Sequence, residues 1–347
     1  NFGDFGGQFQ AQALHGLAPQ EFNTHFVTRI CAAMSCLFSD AQFQFSAEWQ
    51  KRTFELHRWI SALFATSPFH NADHILRALK QPNEQPNGQQ GEQPEQPLTV
   101  SVRDLHKFCT LYTQESEVEI DLDAMWAQAP VLTASLCLSL MSPRFLGTRA
   151  AHAKRETLLQ WLPPKLAQIE RIEDLPFGIV HDVYMHCSYA DARNKHEIKR
   201  AINGLIRRHM RQEGLSDRVE RGQQTQVHHV NGKPVMLVVL EWFTSAHSVY
   251  RTHSRSMRAL RERFHVVAMG SATAVDAPGR EVFDQFIELN GARSLLEQVR
   301  DVMAQAQQLQ PSVFYAPAVG MFPLTIFLAN LRFAPIQVAA LGHGAST

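Results

Sequence analysis

The sequence predicts an α + α/β protein, in which an all-helical N-terminal domain is followed by a Rossmann-like parallel-sheet domain. Three observations carry that prediction. Apolar residues recur at helical spacing up to about residue 220, with no convincing strand. The dipeptide Asn231-Gly232 then joins two apolar stretches in the manner of a β-hairpin. Beyond it, apolar strands alternate with helices to the end of the chain. At 347 residues the chain exceeds one compact core. The change of pattern divides it into residues 1–220 and 221–347.

The helical part opens with two faces, Ile30, Met34, Leu37 and Phe38, then Leu56, Trp59, Ile60, Leu63 and Phe64. Residues 81–97 are almost entirely Gln, Pro, Glu, Asn and Gly, a composition that buries nothing, and read as a disordered surface loop. Helical spacing resumes at Val102 and continues through 132–141 and 151–169. Pro163-Pro164 is expected to break one helix, and Pro176-Phe177-Gly178 another. Residues 179–210 read as two helices, the second with Ile198, Ile202, Leu205 and Ile206 on one side.

In the α/β part, Gln224–Val230 and Pro234–Glu241 flank the turn. The unbroken run Val235–Leu240 marks a strand covered on both faces, with the hairpin strand extending the sheet's edge. Helix 248–263, strand 265–269, helix 292–308, strand 313–316, helix 322–329 and strand 336–341 follow, a right order for Rossmann-like winding. The chain then ends on Gly342-His343-Gly344-Ala345-Ser346-Thr347. A Gly-rich loop after a buried strand ordinarily leads into a helix, so the chain is expected to be part of a longer one.

Composition narrows the function. Hydrophobic residues are 45% and charged residues 19%, with 22 Phe, so the chain is globular. Its 33 basic and 33 acidic residues cancel, which argues against nucleic-acid binding by bulk charge. No stretch approaches the roughly 20 apolar residues of a membrane span, and Asn1–Gln10 lacks the features of a signal peptide. The five cysteines, Cys31, Cys36, Cys109, Cys137 and Cys187, read as reduced, buried thiols of a cytoplasmic protein. Cys31 and Cys36 have no second pair and do not read as a metal site. The Gly-x-Gly-x-x-Gly, Walker and Gly-x-Ser-x-Gly signatures are all missing, which disfavours dehydrogenases, P-loop enzymes and α/β-hydrolases.

Ligands of open parallel sheets bind beyond the carboxyl ends of the strands. Three segments meet that condition, 244–254, 317–321 and 342–347. In the first, His247 enters a helix carrying Arg251 one turn on. An imidazole there suits proton transfer or hydrogen bonding, and an arginine suits a phosphate or carboxylate. A plain helix cap with solvated Arg251 and His253 fits the same spacing. A second cluster is His181-Asp182-Val183-Tyr184-Met185-His186-Cys187-Ser188-Tyr189. Asp182 and His186 share a face with Tyr189 one turn beyond, suited to orienting and tuning a nucleophile. His181 and His186 are five apart and do not form a metal pair. A polar face packed on the second domain remains the alternative. The basic run Lys195, Lys199, Arg200, Arg207, Arg208 and Arg211 reads as a solvated face, and His228-His229 as exposed.

The 181–189 cluster, Ser245–Ser254 with its Tyr250-Arg251-Thr252-His253-Ser254, and Ala334–His343 together resemble the cytoplasmic bacterial N-glycosyltransferases that modify high-molecular-weight adhesins, relatives of O-GlcNAc transferase. The resemblance implies a helical domain on a GT-B fold. It also implies inverting transfer of a hexose, usually glucose from UDP-glucose, to Asn in Asn-x-Ser/Thr, without a metal or other cofactor. His247 matches the family's active-site histidine. Asp182 is taken as the second catalytic residue, and His181, His186, Tyr189 and Arg251 as acceptor-binding. Gly342, His343 and Gly344 fall on the donor-side loop. There the sequence reads Gly-His-Gly-Ala-Ser where the family has Gly-His-Pro-Ala-Thr, which loosens the loop. The second Rossmann-like domain, with most of the nucleotide contacts, is not in this sequence, so the chain alone is expected to be inactive. Two other classes fit parts of the pattern, a non-catalytic polypeptide-binding module and a different nucleotide-dependent enzyme.

Overall fold

The computed structural model describes residues 18–79, 100–219 and 227–340. The expected loop at 81–97 and the donor-side residues Gly342, His343 and Gly344 lie outside them. The chain divides into two compact units, one ending at Leu158 and the other starting at Leu159.

The first unit is helical throughout its described length: α1 (Pro19–Ser39), α2 (Ala47–Thr66), α3 (Asp73–Ala78), α4 (Leu105–Leu111), α5 (Leu122–Gln128), α6 (Pro130–Met141) and most of α7 (Arg149–Leu166). Local chemistry starts these helices. Ser46 accepts from the Trp49 amide, Asp121 accepts from Asp123 and Ala124, and prolines occupy the first turns of α1 and α6. Every residue from Thr133 to Met141 is buried, so α6 is the unit's central helix. Beside it His57 is fully buried and its Nε2 meets the Tyr112 carbonyl at 2.7 Å. Burial pushes that imidazole down to about 4, which keeps it neutral.

Two expectations about this region need correction. Pro163 and Pro164 lie inside α7, which runs on to Leu166. Their missing N–H groups remove ladder bonds only in its last turn, so the helix ends shortly after them. Of the five free thiols, Cys36 is exposed, because it sits on the outer side of α1, while the other four are buried.

The second unit joins helices α8 (Phe177–His186) and α9 (Glu197–Gln212) to a sheet. After β1 (His229–Val230) come β2 (Lys233–Leu240), α10 (Ser248–Leu260), β3 (His265–Ser271), α11 (Ala277–Arg280), β4 (Gln285–Leu289), α12 (Leu295–Leu309), β5 (Val313–Ala316), α13 (Pro323–Ala329) and β6 (Ile336–Ala339). Asn231 and Gly232 both have positive φ, 52° and 76°, as a type I′ turn requires. The hairpin strand does not extend the sheet's edge. It pairs with Lys233 and Pro234, because from Val235 and Met236 onward both sides of β2 are taken by β3 and β5.

The parallel strands run in the order β4-β3-β2-β5-β6. The run 235–240 is buried as expected, with none of its side chains more than 5% exposed. β4 is a fifth parallel strand that the sequence reading did not contain. Its burial alternates weakly, as suits a short edge strand. The chain steps outward from β2 through β3 to β4, and α12 carries it back to β2's other side as β5. The order therefore reverses between β2 and β5, where an open sheet leaves a crevice at its carboxyl ends.

The basic run on α9 and in the turn before it is only partly solvated. Lys199 is 2% exposed, with its ammonium 5.2 Å from the Tyr184 ring. Lys195 donates to the Ala190 carbonyl and Arg207 Nε to Asn330 Oδ1 at 3.0 Å. These cations flank the buried Ile198–Ile206 stripe, so their stems are drawn against neighbouring segments.

Candidate functional site on the rim of the sheet

β2 ends at Leu240, and the residues after it form the crevice wall. Glu241 is 6% exposed and turns back into the protein, whereas Trp242 is 39% exposed. The following turn is tied down by Asp276, whose Oδ2 accepts from the Ser245 amide and hydroxyl at 2.8 and 2.6 Å. The same carboxylate caps α11 through the Gly279 amide at 2.9 Å. The Ser245 hydroxyl holds the Asp276 carboxyl below its usual range.

His247 is the N-cap of α10. Its backbone is extended, and its Nδ1 accepts from the Val249 amide at 3.3 Å. That contact places the ring proton of the neutral imidazole on Nε2. Partial burial, and then the charge of Arg251, push the His247 pKa down. Arg251 lies one turn on and donates to the Ala246 carbonyl. The capping reading and the functional reading of His247 are thus compatible. His253 turns toward Tyr315, with Nδ1 at 3.3 Å from its hydroxyl.

The loop after β5 forms the facing wall. Phe322 is 44% exposed and its ring lies 5.7 Å from Trp242, whose ring is also 5.9 Å from that of His247. Gly320 has φ +90°, and a Cβ there would sit 2.5 Å from Met185 Sδ, so any other residue would be strained and would have to displace Met185. Its carbonyl accepts from His181 Nε2 at 2.9 Å, and its amide donates to Thr325 Oγ1 at 2.9 Å. Glu241 completes the wall from below. It accepts from the Phe322 amide at 2.9 Å, the Thr325 amide at 2.7 Å and the Thr325 hydroxyl at 2.8 Å. Burial pushes its carboxyl up to about 7 despite these bonds. A cleft of about 360 Å³ opens beside this wall, lined among others by Phe177, Trp242, Thr273, Leu289, Gln298 and Phe322.

The sequence-derived residues distribute as follows. His247 and Arg251 stand together on the first rim segment. His181 reaches the second through Gly320, and so joins α8 to the wall that carries Phe322 and Trp242. Asp182 and His186 are half-buried along α8, and Tyr189 is exposed in the turn beyond it, its ring 6.2 Å from His186. The two histidines of α8 face different partners, as their spacing requires. Glu241, Trp242, Asp276, Phe322 and Thr325 were not singled out from sequence. A Glu-Trp pair directly after a buried strand was the one signal available. Among the described residues, no group of three or more His, Cys, Asp or Glu is placed to hold a metal, and no helix is long and apolar enough to cross a membrane.

Comparison with known proteins places this architecture. Residues 7–118 match the HMW1C N-terminal family and residues 123–210 match HMW1 domain 2. The chain is 44% identical over 349 aligned positions to a UDP-glucose:protein N-beta-glucosyltransferase of Actinobacillus pleuropneumoniae serotype 5b (strain L20). That alignment takes in 99% of this chain and 54% of the relative. It is 45% identical to the protein of the same description from serotype 7 (strain AP76), over 94% of this chain and 51% of the relative. The chain thus spans about half the length of the curated relatives it matches. With the helical region and the Rossmann-like rim both in place, the chain belongs to the HMW1-type N-glycosyltransferase family.

Proposed function

We propose that this chain forms the acceptor side of a cytoplasmic protein N-glycosyltransferase. The enzyme would transfer a hexose, glucose from UDP-glucose, to Asn in Asn-x-Ser/Thr segments of adhesin-type polypeptides. The observation that carries the reading is the rim at the β2/β5 switch point, where His247 stands on one wall and α8, bearing Asp182, is bonded to the other. The names and identity of the relatives supply the donor and acceptor classes.

The reaction is a single displacement with inversion. The acceptor amide nitrogen forms a bond to the anomeric carbon, the bond from that carbon to the UDP oxygen breaks with its electron pair leaving on UDP, and the nitrogen gives up one proton to water. Asp182 binds the amide N–H and so orients a poor nucleophile. His247, neutral and protonated on Nε2, donates toward the charge developing on the departing diphosphate. Arg251 adds a fixed positive charge beside it. His181, His186 and Tyr189 line the polypeptide's approach along α8, and the Gly342–Gly344 loop serves the donor side. The family resemblance implies that no metal takes part, so EDTA should leave turnover unchanged.

The test is transfer of one hexose mass from UDP-glucose to an Asn-x-Thr peptide. It uses this chain alone and this chain joined to the part of the A. pleuropneumoniae relative that it does not match. Hexose only on the peptide incubated with the joined protein supports an acceptor-side role. Asp182→Asn and His247→Asn should then lower turnover by about 10²-fold or more with folding retained. Peptide binding without transfer in either form would instead favour a non-catalytic polypeptide-binding module.

A further inference from the structure

We propose that Glu241 is a positioning residue of the transfer reaction, holding the Gly320–Thr325 loop so that α8, with Asp182, keeps a fixed geometry to the His247 rim. The proposal rests on the transferase reading above.

Glu241 lies at the end of the central strand, and its hydrogen-bond partners are uncharged groups of one loop. Its Oε1 takes the Thr325 amide, and its Oε2 takes the Phe322 amide and the Thr325 hydroxyl. Thr325, itself fully buried, passes the constraint on by accepting the Gly320 amide. Gly320 in turn receives His181, and its bare Cα is pressed against Met185, so both sides of α8's inner face bear on it. A continuous line of bonds therefore runs from β2 through the loop to α8. Phe322, held by the same carboxylate, sets its ring on Trp242, which abuts His247.

A buried carboxylate without a cationic partner is a costly way to fill this space, and an apolar side chain would pack there more cheaply. What the carboxylate adds is direction. It accepts three donors at once and so fixes the direction in which the loop leaves β5. Above about pH 7, where the carboxyl is ionised, glutamine cannot take its place. One of its two positions is a donor, which would meet the Phe322 or Thr325 amide head on. Since Asp182 and His247 act on the same few atoms, a shift of about 1 Å between α8 and the rim is enough to lower turnover.

The experiment uses Thr325→Val, which keeps the shape of threonine but loses the hydroxyl that joins Glu241 to Gly320, and Thr325→Ser, which keeps the hydroxyl and loses only a methyl. Hydrogen exchange of the segment 318–326 and of α8 is measured on this chain, and hexose transfer on the joined protein. Thr325→Val should speed exchange in both segments by about tenfold. It should also lower kcat by about tenfold or more while KM for the peptide stays within about twofold. Thr325→Ser should restore both. Unchanged exchange in Thr325→Val overturns the proposal, as does faster exchange with unchanged kcat. Loss of transfer that Thr325→Ser does not restore also overturns it. Wild-type protein that transfers no hexose would instead sink the transferase reading, with the exchange data still deciding whether the clamp exists.

Discussion

Replacing Glu241 with Gln gives a stability prediction with a definite sign. Burial raises the Glu241 carboxyl from its ordinary 4.5 to about 7 in the folded state. Below pH 4.5 the group is protonated in both the folded and unfolded chain, and it imposes no cost of ionisation. Between about 4.5 and 7 the folded protein still binds the proton that the unfolded chain has lost. Stability therefore falls as pH rises through this window, and levels off above it. A separation of about 2.5 pH units at 1.36 kcal/mol each corresponds to about 3 kcal/mol. Glutamine lacks the titration, so its effect does not vary with pH. It has its own constant cost, about 1–3 kcal/mol for an unmatched buried donor. Native-state hydrogen exchange of residues 235–240, the buried strand beside Glu241, measures the opening free energy at each pH. The difference between wild type and Glu241→Gln should shrink by about 3 kcal/mol from pH 4.5 to pH 7.5. Parallel curves would refute the argument. A difference that grows with pH would mean that the three hydrogen bonds outweigh desolvation and hold the carboxyl below 4.5.

Three further outcomes are expected. Gly320→Ala forces a side chain into φ +90° and against Met185 Sδ, and should destabilise the second unit by about 1–3 kcal/mol in urea unfolding. Met185→Ala in the same chain should recover only the steric part. Arg251→Gln removes one of the two influences that hold the His247 pKa down, so the acid limb of transfer should move to higher pH, with His247 still capping α10. An acid limb that stays put would detach it from His247. In native protein one thiol, Cys36, should react rapidly with an aromatic disulfide reagent. Cys31, Cys109, Cys137 and Cys187 should react only on unfolding.

The helical region, the Asn231-Gly232 hairpin, the buried central strand and the helices on either side of it follow from the sequence alone. Each rests on a local signal, 3.6-residue spacing, a turn dipeptide or an unbroken apolar run, which acts over a few residues. The same locality explains what was misread. β4 is a short edge strand with Gln285 and Glu288 exposed, too polar to register, and the Pro163-Pro164 pair lies within a helix because it falls in the last turn, where it ends the helix rather than interrupting it. His247 could be picked out because a strand end and a helix start meet at it. Glu241 could not, since its role exists only through partners 81 and 84 positions away. The His181–Gly320 bond spans 139 positions and depends on the strand order that brings β5 beside β2. Spacing set which residues share a helix face. Topology decided which of those faces meet, because burying a carboxylate or an imidazole is tolerable only where the fold delivers its hydrogen-bond partners.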